Sequence, residues 1–320
     1  MQTIIGADIE TAATYLRKEE LVAIPTETVY GLAGNALSET AVIRIYEAKN
    51  RPRFNPLILH VPELSSIEKY AFADAVSRQL AEAFMPGPFT LLLPKKKIVP
   101  EMVTAGSDKV AIRIPDHTLT RSLLSTVGFP LAAPSANPFG YVSPTTAEHV
   151  LQGLNGRIPY ILDGGPCQVG VESSIAEVNG NEVILHRAGG VTAEMIKQVT
   201  GLPVVTNAHT STPSTPGQLK SHYATHIPLY KGNMHELMEL FRDKKMAVIS
   251  FTKSYPVAAG SKLFVLSPNG DMHEAARRLF ATMRKIDSMD IDVILAEDFP
   301  DQGIGRAIND RLNRAQAVFK

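Results

Sequence analysis

The sequence predicts an α/β protein of two domains. Three observations carry this: a length of 320 residues, about twice that of a typical domain; short apolar runs that alternate with segments of helical period; and a change of texture at Thr206. There T-N-A-H-T-S-T-P-S-T-P-G-Q-L-K-S-H-Y-A-T-H is rich in Ser, Thr and Pro, as a linker is. The expected division is a mixed-sheet domain over residues 1–205, a linker over 206–226, and a smaller domain over 227–320.

Asp8 can cap a first helix whose Ile9, Ala12, Ala13 and Leu16 share one face. Residues 21–24 read as a buried strand, ended by Pro25 and followed by T-E-T-V-Y-G-L-A-G. A helix over 38–49 leads to a strand over 57–61, with His60 near its end. Helical period returns over 75–84, and Pro86-Gly87-Pro88 breaks it before a strand at 89–93. Lys95, Lys96 and Lys97 read as a solvated charge run. Arg113 lies inside the apolar strand 110–114 and needs a partner there. A helix over 118–125, a strand at 131–133 and a helix from Thr145 follow; strands at 160–162, 174–178 and 183–187 precede a helix near 192–200. Some successive strands have no helix between them, so the sheet is expected to be mixed. Beyond the linker, strands at 227–230, 246–250, 262–266 and 292–296 alternate with helical segments such as 273–287 and 306–317. That pattern predicts a mostly parallel open sheet, Rossmann-like, with helices on both faces.

Composition narrows the function classes. Hydrophobic content of 44% and charged content of 20% are those of a folded globular chain. Lys plus Arg equals 32 and Asp plus Glu equals 32, so no overall field steers the protein to nucleic acid or anionic membrane. Cys167 is the single cysteine, which removes an internal disulfide and a Cys-based metal site and suits a small buried residue. No run approaches the roughly 20 apolar residues of a membrane span, and the first ten residues lack a basic segment followed by an apolar one. The expectation is a cytoplasmic protein with no membrane contact.

The chemistry-bearing stretch is A-K-N-R-P-R-F-N-P-L-I-L-H-V, residues 48–61. Lys49, Arg51 and Arg53 alternate where a helix gives way to a strand, and Pro52 and Pro56 stiffen the loop. Taken alone, such a cluster more often serves a helix C-terminus, whose dipole favours cations. Four further clusters stand at strand ends or turns: residues 26–31, P-S-A-N at 134–137, V-E-S-S at 171–174, and H-R-A-G-G at 186–190. No G-x-x-x-x-G-K-[ST] or G-x-S-x-G occurs, and Gly303-Ile304-Gly305 lacks a third glycine. His222 and His226 have metal-like spacing but no third ligand nearby.

Together P-T-E-T-V-Y-G-L, K-x-R with N-P-L, V-A-I-R-I-P, A-P-S-A-N, V-E-S-S-I and R-A-G resemble the YrdC family over roughly residues 10–201. P-G-Q-L-K-S-H-Y and G-I-G-R-A-I-N-D-R-L-N-R-A are similar to the linker and second domain of its longer members. The resemblance implies synthesis of L-threonylcarbamoyl-AMP, the intermediate for threonylcarbamoyladenosine in transfer RNA. The substrates would be L-threonine, bicarbonate or carbon dioxide, and ATP, with magnesium held mainly by ATP oxygens and no protein metal site. By similarity Lys49 and Arg51 are the catalytic cations. With Asn55, Lys109, Ser135, Asn137, Ser143, Arg187 and Tyr223 they would bind ATP, whereas Thr28, His60, Arg113 and Ser173 would hold L-threonine. Arg53 falls outside the family pattern. The product would pass to a separate transferase complex acting on transfer RNA.

Ala224-Thr225 stands where the longer members commonly have Ala-Pro, which loosens the assignment of Tyr223. Residues 213–226 are expected to fold over the ATP site as a lid that keeps water from a labile adenylate. Two rival readings are carbamoyl transfer from carbamoyl phosphate to ATP, as in hydrogenase maturation proteins, and a double-stranded-RNA binding module. The first occurs in chains with zinc-finger and acylphosphatase segments absent here, and the balanced charge disfavours the second.

Overall fold

The computed structural model describes residues 2–206 and 222–316. The first unit starts with β1 (Ile4–Gly6), α1 (Ile9–Arg17), β2 (Val22–Ile24), β3 (Gly31–Asn35), α2 (Glu39–Lys49) and β4 (Ile58–His60). It continues with α3 (Ile67–Tyr70), α4 (Ala75–Phe84), β5 (Phe89–Pro94), α5 (Glu101–Thr104), β6 (Lys109–Arg113), α6 (Thr118–Val127) and β7 (Leu131–Ala132). It closes with α7 (Ala147–Leu154), β8 (Tyr160–Leu162), β9 (Ser174–Asn179), β10 (Glu182–Arg187), α8 (Ala193–Thr200) and β11 (Val204–Thr206). Among the described residues these strands form one mixed 11-stranded sheet, in the order β1-β8-β2-β3-β7-β4-β6-β5-β9-β10-β11.

The elements start and stop for local reasons. Asp8 caps α1 by accepting from Thr11 N, Ser38 caps α2 by accepting from Ala41 N, and Thr146 caps α7 by accepting from His149 N. α2 ends where Asn50 turns left-handed, at φ 52°, so Lys49 is its last residue and Arg51 already belongs to the loop. Strands β1, β3 and β11 are not foreseen by periodicity. G-L-A-G-N is a poor strand by composition, yet β3 forms because Val22, Ala23 and Ile24 of β2 pair antiparallel with Ala33, Leu32 and Gly31. β1 and β11 are three-residue strands at the two sheet edges, each paired on one side only.

Lys95 departs from the expected solvated run: its side chain is only 11% exposed and pairs with Glu101 at 2.7 Å. Its ammonium also donates to the buried Thr104 hydroxyl at 3.3 Å, which draws the side chain down onto the protein. Cys167 is buried, as expected of it.

The second unit comprises β12 (Leu229–Lys231), α9 (Met234–Leu240), β13 (Met246–Ser250), β14 (Lys262–Val265), α10 (Met272–Asp287), β15 (Val293–Ala296) and α11 (Gly305–Gln316). Its four strands are all parallel, ordered β12-β15-β13-β14. Alternate residues bury opposite faces. Ala247, Ile249, Ile294 and Ala296 pack with α10 and α11, while Met246, Val248, Val293 and Leu295 pack with α9. Gly303 and Ile304 lead into α11, which starts at Gly305.

The two units share a core. Val29, Val142, Val171 and Tyr223 join the cluster built on Phe280, Met283, Ile308 and Leu312. A Cβ on Gly170 would lie 2.4 Å from Arg277 Cα, so a glycine there lets α10 come up against the V-E-S-S loop. Arg284 of α10 donates to the carbonyls of Val142, Ser143 and His149, at 2.5, 3.3 and 3.2 Å, and stacks on Tyr141.

Candidate active site

The loop after β2 is locked before any ligand arrives. Thr26 Oγ1 accepts from Thr28 N and Val29 N and donates to Val29 O at 2.6 Å. Backbone bonds Leu32 N to Pro134 O and Ala136 N to Tyr30 O clip it to the P-S-A-N loop. The H-R-A-G-G loop lies as close to V-E-S-S: a Cβ on Gly189 would sit 2.4 Å from Ser174 N. Thr26, Arg51, His60, Arg113, Ser135, Glu172, Arg187 and Tyr223 thereby converge on one cavity, which His222 also lines.

Of the sequence-predicted residues, Arg51, His60, Arg113, Ser135, Arg187 and Tyr223 reach the cavity wall. Arg51 donates from Nε to Asn55 O and from Nη2 to Pro56 O, and burial brings its pKa down to about 10, so it stays cationic at neutral pH. Arg53 is exposed. Arg187 grips Ser173 twice, Nε to its carbonyl at 2.9 Å and Nη2 to its hydroxyl at 3.0 Å. A register shift between Leu185 and Arg187 re-aims this strand end, so that neighbouring His186 reaches Glu177 while Arg187 reaches Ser173.

Lys49, Asn55, Thr28, Asn137, Ser143 and Ser173 stand behind the wall. Lys49 is buried and donates to the carbonyls of Ser135 and Asn137, shaping the loop that carries Ser135. Burial, with Arg51 and Arg284 nearby, holds its ammonium well below the usual lysine range. Both side-chain polar atoms of Asn55, and Asn137 Oδ1, are buried without a hydrogen-bond partner, as befits groups with capacity for a ligand. Thr28 Oγ1 accepts from Arg113 Nη2 at 2.9 Å. Ser143 donates to Glu172 at 2.5 Å, and Ser173 shares a 2.7 Å hydrogen bond with Thr90. Lys109 is not brought to the cavity wall: Glu177 takes its ammonium, and His186 meets the other oxygen of Glu177 at 2.7 Å.

Electrostatics favour an anion. Arg51, Arg113 and Arg187 face the cavity, and Glu172 is the carboxylate on its wall. Burial pushes Glu172 up, but Arg311, Arg187 and the Ser143 hydroxyl outweigh it and hold the group ionised. His60 is neutral: burial, then Arg113, drive its pKa down to about 3, and Nδ1 meets Ile58 O at 3.1 Å. A histidine depressed from 6.5 costs stability as pH falls below 6.5, because only the unfolded chain takes the proton. Between pH 7 and 5 wild-type protein should lose about 2 kcal/mol more than His60→Gln, at about 1.4 kcal/mol per pH unit below 6.5. Urea melts at the two pH values check this, and equal losses would contradict it.

Sequence reasoning missed Glu27, Thr90, Arg284 and Arg311. Glu27 lay inside a flagged cluster, whereas nothing in the sequence joins Arg311 to Glu172, 139 positions away.

Comparison with known proteins decides the family. A family model described as telomere recombination matches residues 14–189, and one described as threonylcarbamoyl-AMP synthase, C-terminal domain, matches residues 191–317. The chain belongs to the threonylcarbamoyl-AMP synthase family. The curated threonylcarbamoyl-AMP synthase of Pyrococcus abyssi is 40% identical, over 96% of this chain and 93% of its own length. That of Bacillus subtilis is also 40% identical, over 96% and 92%. The crystal structure of P. abyssi Sua5 complexed with L-threonine is 37% identical, with a TM-score of 0.90, and covers 98% of this chain and 97% of that one. Membership in this synthase family gives the cationic cavity a chemistry to be weighed. Within the described residues, no helix is long and apolar enough to cross a membrane.

Proposed function

We propose that the chain makes L-threonylcarbamoyl-AMP and pyrophosphate from L-threonine, bicarbonate or carbon dioxide, and ATP, for threonylcarbamoyladenosine in transfer RNA. The observation that carries this is the convergence of Arg51, Arg113 and Arg187 with Ser135 on one cavity, in a chain alike throughout to a protein crystallised with L-threonine.

The threonine nitrogen first forms a C–N bond to the carbon of bicarbonate, with loss of water and a proton, giving a carbamate. One carbamate oxygen then bonds to the α-phosphorus of ATP as the bond to the bridging oxygen breaks, and pyrophosphate leaves with that electron pair. Charge grows on the leaving group, and cations fixed beforehand stabilise it without reorganisation. In this reading Arg51 and Arg187 meet the phosphates, with Lys49, Asn55, Ser135, Asn137 and Ser143 shaping that end; Tyr223 covers it. Lys109 could join only by exchanging Glu177 for phosphate. Arg113 takes the threonine carboxylate, whose fork geometry lysine cannot match. Thr28, Ser173 and neutral His60 complete that end.

Magnesium enters this reading with the nucleotide. Glu172 has its oxygens taken by Ser143 and Arg311, so the ion would be carried by phosphate oxygens and water. Transfer of the product to a separate transferase complex on transfer RNA also belongs to the proposal.

The linker lid is part of it as well. Residues 213–221 of the expected lid lie outside the described residues, while His222 and Tyr223 line the cavity and are buried. Tyr223→Ala should release free AMP at the expense of adenylate, because water then reaches the product. Chromatography of the nucleotides checks it, and an unchanged product ratio would count against a lid.

Pyrophosphate release, with each substrate omitted in turn, tests the reaction. Release is expected only with ATP, L-threonine and bicarbonate together. Release indifferent to L-threonine would overturn the proposal.

A further inference from the structure

Glu27 is the charged member of the T-E-T loop, and the reaction above leaves it without a role. It is 6% exposed, and neither carboxylate oxygen has a hydrogen-bond partner. Among the described residues its ion contact is Arg113 Nη2, at 2.7 Å from Oε1. That contact is close but poorly aligned, so it acts through charge more than through a directed hydrogen bond.

The backbone of Glu27 is held hard. Its carbonyl accepts from Val169 N at 2.7 Å, and the Thr26 hydroxyl closes the turn around it. The loop that carries the carboxylate is therefore set before a ligand arrives, and burial limits where the carboxylate can go. Arg113 makes two further bonds to protein: Nε to Gly87 O at 3.3 Å and Nη2, which it shares with Glu27, to Thr28 Oγ1 at 2.9 Å. Nε and Nη2 thus face protein, which leaves Nη1 to a ligand.

We propose that Glu27 is a positioning residue for amino-acid recognition: its buried carboxylate, 2.7 Å from Nη2, draws that edge of the Arg113 guanidinium onto the T-E-T loop and so leaves Nη1 to a substrate carboxylate. This rests on the reading in which Arg113 grips L-threonine. Without Glu27 a buried cation would keep Thr28 and Gly87 as partners but lose the charge that draws Nη2 to the T-E-T loop. Substrate carboxylate would then have to order Arg113 on binding, which raises KM for the amino acid rather than for ATP.

The test uses full-length Glu27→Gln and Glu27→Asp proteins, with Arg113→Lys alone and combined with Glu27→Gln, in the pyrophosphate-release assay. Glu27→Gln should raise KM for L-threonine roughly tenfold or more, as loss of one partner of a buried charge pair does, and leave KM for ATP within about twofold. Glu27→Asp should recover part of the loss. In the Arg113→Lys background, Glu27→Gln should add less than about threefold, because the two act as one unit. An unchanged KM for L-threonine, an equal rise in both KM values, or full additivity with Arg113→Lys would overturn the proposal. Wild-type protein whose release ignores L-threonine would instead overturn the function on which it rests, so the two failures are distinct. If Glu27→Gln does not fold, the ratio of the two KM values in Glu27→Asp decides by the same criteria.

Discussion

Arg51→Ala is expected to lower L-threonine-dependent pyrophosphate release by about two to three orders of magnitude, the effect of deleting one preorganised donor from a site that stabilises developing charge. Three features support a loss of this size. Arg51 stands on the cavity wall, stays charged despite burial, and is tied through Nε and Nη2 to the loop carbonyls of Asn55 and Pro56. Those bonds also brace the loop, so a loss of about 2 kcal/mol of stability should accompany the change, at roughly 1 kcal/mol for each. Arg51→Lys keeps the charge but loses the fork, and should fall between alanine and wild type. Steady-state rates and urea melts on the same preparations separate the two effects. Near-normal turnover in Arg51→Ala would mean that the cations of this loop do not meet the phosphates.

Arg311→Met is the second large expectation, and it concerns the other domain. Arg311 of α11 is fully buried and reaches across the domain boundary. Nε donates to Glu172 Oε2 at 3.1 Å, Nη1 donates to Ala188 O at 2.7 Å, and the guanidinium lies 5.5 Å from the Tyr223 ring centroid. Burial pulls its pKa down, but the Tyr223, Glu172 and Asp310 groups around it more than reverse that and bind its proton tightly. Methionine would leave Glu172 buried with the Ser143 hydroxyl and a more distant Arg187. Removing one partner of a buried pair costs about 3–5 kcal/mol, so urea unfolding should shift by that order. Turnover should fall as well, because Glu172 lines the cavity and sets Ser143. Loss of stability with unimpaired turnover under native conditions would make the second domain a brace for the fold alone.

Much of the fold was legible because apolar runs and helical periods are local. The cap at Asp8, the break at Pro86 and the parallel second sheet all follow from neighbouring residues. β3 was not legible, since its strand character comes from pairing with β2 and P-S-A-N rather than from G-L-A-G-N itself. The site divides in the same way. Arg51, Arg113 and Arg187 could be picked out because charge stands out against Pro, Ile and Leu. Alternation made Lys49, Arg51 and Arg53 look alike, but a left-handed Asn50 turns Lys49 inward under Ser135 and leaves Arg53 exposed. Arg113 needed a partner, yet which carboxylate supplied it was settled only when the T-E-T loop folded back 86 positions to place Glu27 beside it.

The most direct test of the central claim, that one cavity joins a carboxylated L-threonine to AMP, is mass spectrometry of the nucleotide products formed with isotope-labelled bicarbonate. The proposed reaction predicts an adenylate that contains threonine and carries the label, formed by wild-type protein and nearly lost in Arg51→Ala. An adenylate without the label, or pyrophosphate release with no threonine-containing adduct, would contradict it.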